Sequence, residues 1–159
     1  GSVVPLFLKY KNKGWFPITH REMTRFNITL NEGVKFVIDS FERMWGGEIF
    51  IPKIPSYSIL SIAKAINPKN KLKFIGIRGG EKLHEEMISK SDSMNAYEFK
   101  NYYVILPSKE YLSWSINKFL QTFSNDKVKK CNENFSYNSF DNKPYLTVKK
   151  LKDLIFNKK

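Results

Sequence analysis

Between Pro5 and Met87 the spacing of apolar residues switches repeatedly between a helical and an extended period, and that alternation predicts an α/β arrangement with parallel elements. Pro5, Leu6, Phe7, Leu8 and Tyr10 read as a short helix that stops at Lys11-Asn12-Lys13-Gly14, and Trp15 to Thr19 reads as a strand. Thr29-Leu30-Asn31-Glu32 has the form of a capping box, and Leu30, Val34, Val37, Ile38 and Phe41 follow it at helical spacing as far as Gly46-Gly47. Glu48 to Ile51, closed by Pro52, is a compact strand. Ile59, Ile62, Ala63 and Ile66 form a second amphipathic helix, ended by Asn67-Pro68.

The next stretch, Phe74 to Met87, carries the most chemistry. Phe74, Ile75 and Ile77 suit a short buried strand, Gly79-Gly80 a turn, and Leu83 with Met87 a helix. Two glycines let a backbone approach a ligand closely, and a helix start presents unpaired N–H groups. Arg78 adds a forked cation, and Glu81 can accept hydrogen bonds from hydroxyls. The combination suits a group with both phosphate and sugar, and the alternative is a turn whose Arg78 and Glu81 are simply solvated. Arg25, inside the apolar Met23-Thr24-Arg25-Phe26, is a second arginine at an element junction. The pair suggests a clamp on a diphosphate.

Further along, Ser89 to Lys100 is polar and reads as a loop or an extended excursion, Tyr102 to Leu106 as a strand, and Ile116, Phe119, Leu120 and Phe123 as a helix. Asn125 to Pro144 is expected to be irregular but ordered, anchored by Phe135, Tyr137 and Phe140. Thr147 caps a last helix bearing Val148, Leu151, Leu154 and Ile155, before a basic end at Lys158-Lys159. The expected organisation is an α/β ligand-binding domain over residues 1–124, with an irregular segment and terminal helix, 125–159, packed on it. The opening Gly1-Ser2 without a methionine reads as the start of a fragment or processed chain.

At 159 residues with 42% apolar content the chain can bury a core, and no apolar run is long enough to span a membrane. Without a signal-peptide pattern the expected compartment is the cytoplasm. One cysteine, Cys131, and two histidines, His20 and His84, cannot assemble a zinc cluster. The net charge of +12 raises the question of nucleic acid, yet only four of the 27 basic residues are arginine and the lysines are scattered. A small anionic ligand is the more specific reading. No G-x-G-x-x-G or G-x-x-x-x-G-K-[ST] fingerprint occurs, so the chain lacks the usual dinucleotide turn. Tyr145 and Lys149 match a Tyr-x-x-x-Lys dyad formally, as chance predicts among eight tyrosines and many lysines. No catalytic residue is assigned, and Glu85, Glu86 and Asp92 read as solvated charges.

Several motifs in order carry a family resemblance: Gly1-Ser2-Val3-Val4-Pro5, Pro17-Ile18-Thr19, Met23-Thr24-Arg25-Phe26 with Ile28-Thr29-Leu30, Gly47-Glu48-Ile49-Phe50 with Pro52-Lys53, and Ile77-Arg78-Gly79-Gly80-Glu81-Lys82-Leu83-His84-Glu85. Phe135 to Ser139, Asn142 and Tyr145-Leu146 extend them. Together they resemble the C-terminal half of UDP-N-acetylglucosamine 4,6-dehydratases, the polysaccharide-biosynthesis branch of the extended short-chain dehydrogenase/reductases. The resemblance implies the substrate-binding portion of that α/β fold, lacking most of the N-terminal Rossmann sheet.

In that family the N-terminal half supplies the NAD(P) site and the Tyr/Lys dyad, so no cofactor is expected on this chain alone. By motif, Arg25 and Arg78 would hold the UDP diphosphate and Glu81 the ribose. Val3 and Pro5 with Pro17, Ile18 and Thr19 would line the uracil pocket. The intact lyase takes hydride from C4 of the sugar, loses water across C5 and C6 and returns hydride to C6. Implied partners are a UDP-sugar and a separate Rossmann half, with self-association of the isolated chain. Gly79-Gly80 stands where the family usually has Pro-Gly, Asn27 where an aromatic is common, and His20 where an Asp is common. Other readings are a stand-alone binding module from a split or decayed gene and a basic nucleic-acid binder.

Overall fold

A computed structural model describes residues 3–111, 113–123 and 127–157. The elements in order are α1 (Val3–Tyr10), β1 (Trp15–Ile18), β2 (Thr24–Phe26), α2 (Leu30–Arg43), β3 (Ile49–Pro52), β4 (Ser56–Ser58), α3 (Ile59–Ile66), β5 (Lys71–Phe74) and β6 (Glu86–Ile88). They continue with β7 (Ala96–Glu98), β8 (Tyr102–Ile105), α4 (Ile116–Thr122), β9 (Lys129–Lys130), β10 (Tyr137–Asn138) and α5 (Val148–Phe156). The basic end at Lys158-Lys159 lies outside the described residues. The chain forms two compact units, one of residues 1–27, 55–85 and 138–159, the other of 28–54 and 86–137.

The first unit is built on a parallel pair. β1 and β5 run in register from Trp15 opposite Lys71 to Ile18 opposite Phe74, and Ile75 N–H continues the ladder to Ile18 C=O at 2.9 Å. β2 and β4 form a separate antiparallel pair in which Arg25 faces Tyr57. Phe7, Phe16, Ile18, Met23, Ile59, Ile62, Ile66 and Leu151 form the core, with the Phe7 and Phe16 rings stacked at 5.0 Å. Ser58 and Thr147 cap α3 and α5 by accepting from the N–H groups of Ser61 and Lys150. The C-terminal segment is tied to β4. Ser56 N–H donates to Pro144 C=O at 3.1 Å, and Leu146 N–H to Ser56 C=O at 2.7 Å.

The second unit carries a four-stranded antiparallel sheet in the order β3, β8, β7, β9. Phe99, Tyr102, Val104, Leu106 and Phe119 are its buried centre. Lys53 Nζ reaches the Glu98 carboxylate at 2.7 Å and Phe99 C=O at 2.6 Å, which ties β3 to the β7 end of the sheet. Burial pushes the Tyr103 phenol up to about 12 and the Cys131 thiol up to about 11, and the Glu98 carboxylate adds to both. The ordinary values are 10.0 and 9.0, so the folded chain keeps protons that the unfolded chain releases. Stability is therefore full below about pH 9 and falls as pH rises toward about 12. Melting temperatures followed by circular dichroism from pH 8 upward should be flat and then decline, and alkylation of Cys131 should need higher pH than a free thiol.

Several expectations need correction. Parallel pairing joins β1 to β5 and Ser56 to Tyr145 as an isolated bridge, whereas β2 with β4, β3 with β8, and β7 with β8 and β9 are antiparallel. The strand expected at Phe74, Ile75 and Ile77 is shifted to Lys71–Phe74, and residues 71–80 are all exposed. No helix contains Leu83 and Met87, because tertiary partners take the backbone groups a helix would use. Leu83 C=O accepts from Thr24 N–H at 3.1 Å, and Glu85 C=O from Ser139 N–H at 2.8 Å. The stretch Ser89 to Lys100, expected to be a loop or an extended excursion, contains β7, an interior strand of the sheet. Between Asn125 and Pro144 the described residues are irregular apart from β9 and β10.

α2 forms where its capping box predicts. Thr29 N–H and its hydroxyl donate to the Glu32 carboxylate, which holds that carboxyl below its usual range. Its apolar face is not covered. Leu30 is 81% exposed, Val37 66% and Phe41 74%, and no residue of α2 is buried.

Candidate functional site

The carboxyl ends of the parallel strands β1 and β5 come out side by side in the first unit, the position at which α/β folds place ligands. A cavity of about 560 Å³ opens there. Val3, Leu6 and Phe7 of α1 form one wall, Pro17 and Thr19 the end of β1, and Met23, Arg25 and Phe26 the β2 side. Tyr57, Ile59, Ile75, Arg78, Glu81 and Glu85 complete it. Of the residues expected at a ligand site, Val3, Pro17, Thr19, Arg25, Arg78 and Glu81 line this cavity. Ile18 and Pro5 do not: Ile18 is fully buried in the core, and Pro5 is exposed on α1.

The two arginines are held differently. Arg25 is preorganised: its Nη1 donates to Thr24 C=O at 2.6 Å and to Leu83 C=O at 3.2 Å, and its Nε pairs with the Glu85 carboxylate at 3.3 Å. Its side chain is only 19% exposed. Arg78 is exposed, and its guanidinium has no protein partner among the described residues. It stands at the first position of a tight turn in which Glu81 N–H donates to Arg78 C=O at 3.1 Å. Gly80, at the third position with φ +79°, occupies the left-handed region that the turn needs. A Cβ at Gly79 would meet nothing within 4 Å, so the proline usual in the resembled family is not excluded by crowding. The Glu81 carboxylate folds back to accept from Arg78 N–H at 3.3 Å.

Three residues were not foreseen. The sequence suggests a solvated charge at Glu85, whereas it is the counter-ion of Arg25 and lines the cavity. Tyr57 sits on a three-residue Ser-Tyr-Ser strand with no apolar alternation to announce it. Burial pushes its phenol up, the Arg25 cation pulls it down and the Glu85 carboxylate raises it again. Phe26 supplies an aromatic wall. The one available signal was Arg25 itself, since a guanidinium within an apolar stretch requires a carboxylate nearby.

Chemically, the arrangement offers one free and one fixed guanidinium, two carboxylates and apolar walls. That set can hold an anion and hydroxyl groups; it offers no nucleophile paired with a base. Tyr145 hydroxyl is occupied by the carbonyls of Ser139 and Phe140 at 2.7 and 2.9 Å. No group of three metal-ligating side chains occurs among the described residues. A nicotinamide dinucleotide needs a glycine-rich strand-to-helix turn, whereas Gly79-Gly80 lies beyond the end of β5 at Phe74 and no helix follows it. The residues present therefore do not fit that cofactor. No described helix is long and apolar enough to cross a membrane.

Comparison with known proteins adds the family. A model described as "Polysaccharide biosynthesis protein" matches residues 1–107. Two relatives from Campylobacter jejuni strains, each named UDP-N-acetylglucosamine 4,6-dehydratase (inverting), are 50% identical over 157 residues, covering 98% of this chain and 47% of theirs. A UDP-glucose 4-epimerase of Rickettsia bellii is 41% identical over 110 residues, covering 66% of this chain and 32% of its own. The X-ray structure of Pen from Bacillus thuringiensis is similar with a TM-score of 0.75 and 28% identity, over 99% of this chain and 46% of that one. The chain spans about half the length of the curated relatives it matches. An α/β fold with this site at the ends of its parallel strands, matched over most of its length by one family model, belongs to the polysaccharide biosynthesis protein family, and it corresponds to the C-terminal half of the dehydratase relatives.

Proposed function

We propose that this chain is the UDP-sugar-binding part of a nucleotide-sugar 4,6-dehydratase, acting on UDP-N-acetylglucosamine in surface polysaccharide or glycan biosynthesis in the cytoplasm. The observation that carries the proposal is the meeting of Arg25, Arg78 and Glu81 at one cavity with an apolar wall from α1. Arg78 grips the diphosphate as the mobile cation and Arg25 as the fixed one, because planar donors match phosphate oxygens two at a time. Glu81 accepts from the ribose hydroxyls. Val3, Pro17 and Thr19 bound the uracil. The names of the Campylobacter jejuni relatives support the choice of sugar and of reaction.

Catalysis requires a second half, on the same polypeptide or another, corresponding to the portion of the relatives that this chain does not match. NADP or NAD supplies hydride chemistry there. The uncovered face of α2 is the surface proposed to pack against that half. The expected result is that the 159-residue chain binds UDP-N-acetylglucosamine, yields no 4-keto product with added NADP, and gains turnover when the missing half of a Campylobacter jejuni relative is added. Turnover by the chain alone would refute this division of labour.

A further inference from the structure

Ser139 is fully buried and makes hydrogen bonds on three sides, all in the first unit. Its N–H donates to Glu85 C=O at 2.8 Å, and its Oγ accepts from Glu85 N–H at 2.9 Å, so one residue brackets the backbone of Glu85 from both ends. The same Oγ lies 2.7 Å from Thr24 Oγ1, and Thr24 Oγ1 lies 2.8 Å from His84 Nδ1. With the His84 proton on Nε2 the chain runs head to tail, from Glu85 N–H to Ser139 hydroxyl, Thr24 hydroxyl and His84 Nδ1. The His84 ring also packs on Phe140 with centroids 4.6 Å apart.

Thr24 immediately precedes Arg25, and His84 immediately precedes Glu85. The buried hydroxyl chain therefore joins the two backbone segments whose side chains form the Arg25–Glu85 ion pair at the cavity. We propose that Ser139 is a positioning residue for the anion site, setting the Arg25 guanidinium in place through Glu85 and Thr24. The inference rests on the UDP-sugar reading for its ligand, though not for its geometry. Ser139 lies beyond residue 107, where the family model ends, and within the 157 residues aligned with the dehydratase relatives. The dehydratase-like C-terminal segment thus takes part in shaping the site.

A purely structural serine would affect melting and nothing at the cavity, so the test reads Arg25 directly. The chain has four arginines, and their Nε–H signals can be followed by nitrogen-15 NMR in the full 159-residue chain. Ser139→Ala should speed exchange of the Arg25 Nε–H by about tenfold or more and weaken UDP binding by about tenfold, while the Arg43 signal stays unchanged. Thr24→Val should do the same, and Thr24→Ser, which keeps the hydroxyl, should restore both. If Ser139→Ala and Thr24→Val lower only the melting temperature and leave the Arg25 signal and the UDP affinity at wild-type values, the positioning role is refuted. If the wild-type chain fails to bind UDP while Arg25 still responds to Ser139→Ala, the positioning role stands and the nucleotide reading falls.

Discussion

Arg78→Ala is expected to lower affinity for UDP and for UDP-N-acetylglucosamine by about tenfold to a hundredfold, the loss of roughly 1.5–3 kcal/mol in charge-assisted hydrogen bonds. Stability should not change, because the exposed guanidinium has no protein partner among the described residues. Arg25→Ala makes the necessary contrast. It removes donors from Thr24 C=O and Leu83 C=O and leaves Glu85 without its cation, so it should cost about 2 kcal/mol of stability in addition to affinity. Arg25→Lys should repair little, since one ammonium cannot serve two carbonyls and a carboxylate in the fork geometry. Calorimetric titration beside thermal melting separates the two arginines. Equal affinity for wild type and Arg78→Ala would remove Arg78 from the site.

The second large effect concerns α2. Leu30, Val34, Val37, Ile38 and Phe41 leave an apolar stripe in water, and covering such side chains gains roughly 1.5–3 kcal/mol each. The isolated chain is therefore expected to self-associate. Val37→Glu together with Phe41→Glu should return it to the 18.7 kDa monomer by light scattering, with its fold intact because no α2 residue is buried. The same pair of substitutions should abolish recovery of turnover with an added second half. A wild-type chain that stays monomeric at high concentration would contradict this account of the face.

What the sequence disclosed and what it withheld divide along physical lines. Helices announced by caps and regular spacing were legible: α2 from Thr29 and Glu32, α3 from its apolar period and Asn67-Pro68, and α5 from Thr147. Whether a face is buried was not legible. The period of α2 specifies an apolar stripe, and only the rest of the structure specifies what covers it. The expected helix at Leu83–Met87 failed because spacing says nothing of tertiary hydrogen bonds. The carbonyls of Leu83 and Glu85 are claimed by the distant N–H groups of Thr24 and Ser139. Arg25 and Arg78 stand out in the sequence because arginine is scarce among so many lysines, and with Glu81 they line one cavity. Glu85, Tyr57 and Ser139 were hidden because their roles depend on pairing across β2, β4 and the C-terminal segment.

The central claim is that the first unit grips the diphosphate of a uridine nucleotide, and the most direct measurement compares UDP with UMP and uridine by calorimetric titration of the wild-type chain. The account predicts saturable UDP binding at least about tenfold tighter than UMP, with uridine weaker still, because the second phosphate adds charge-assisted bonds to the arginines. Equal affinity for all three, or no binding of UDP, would contradict it.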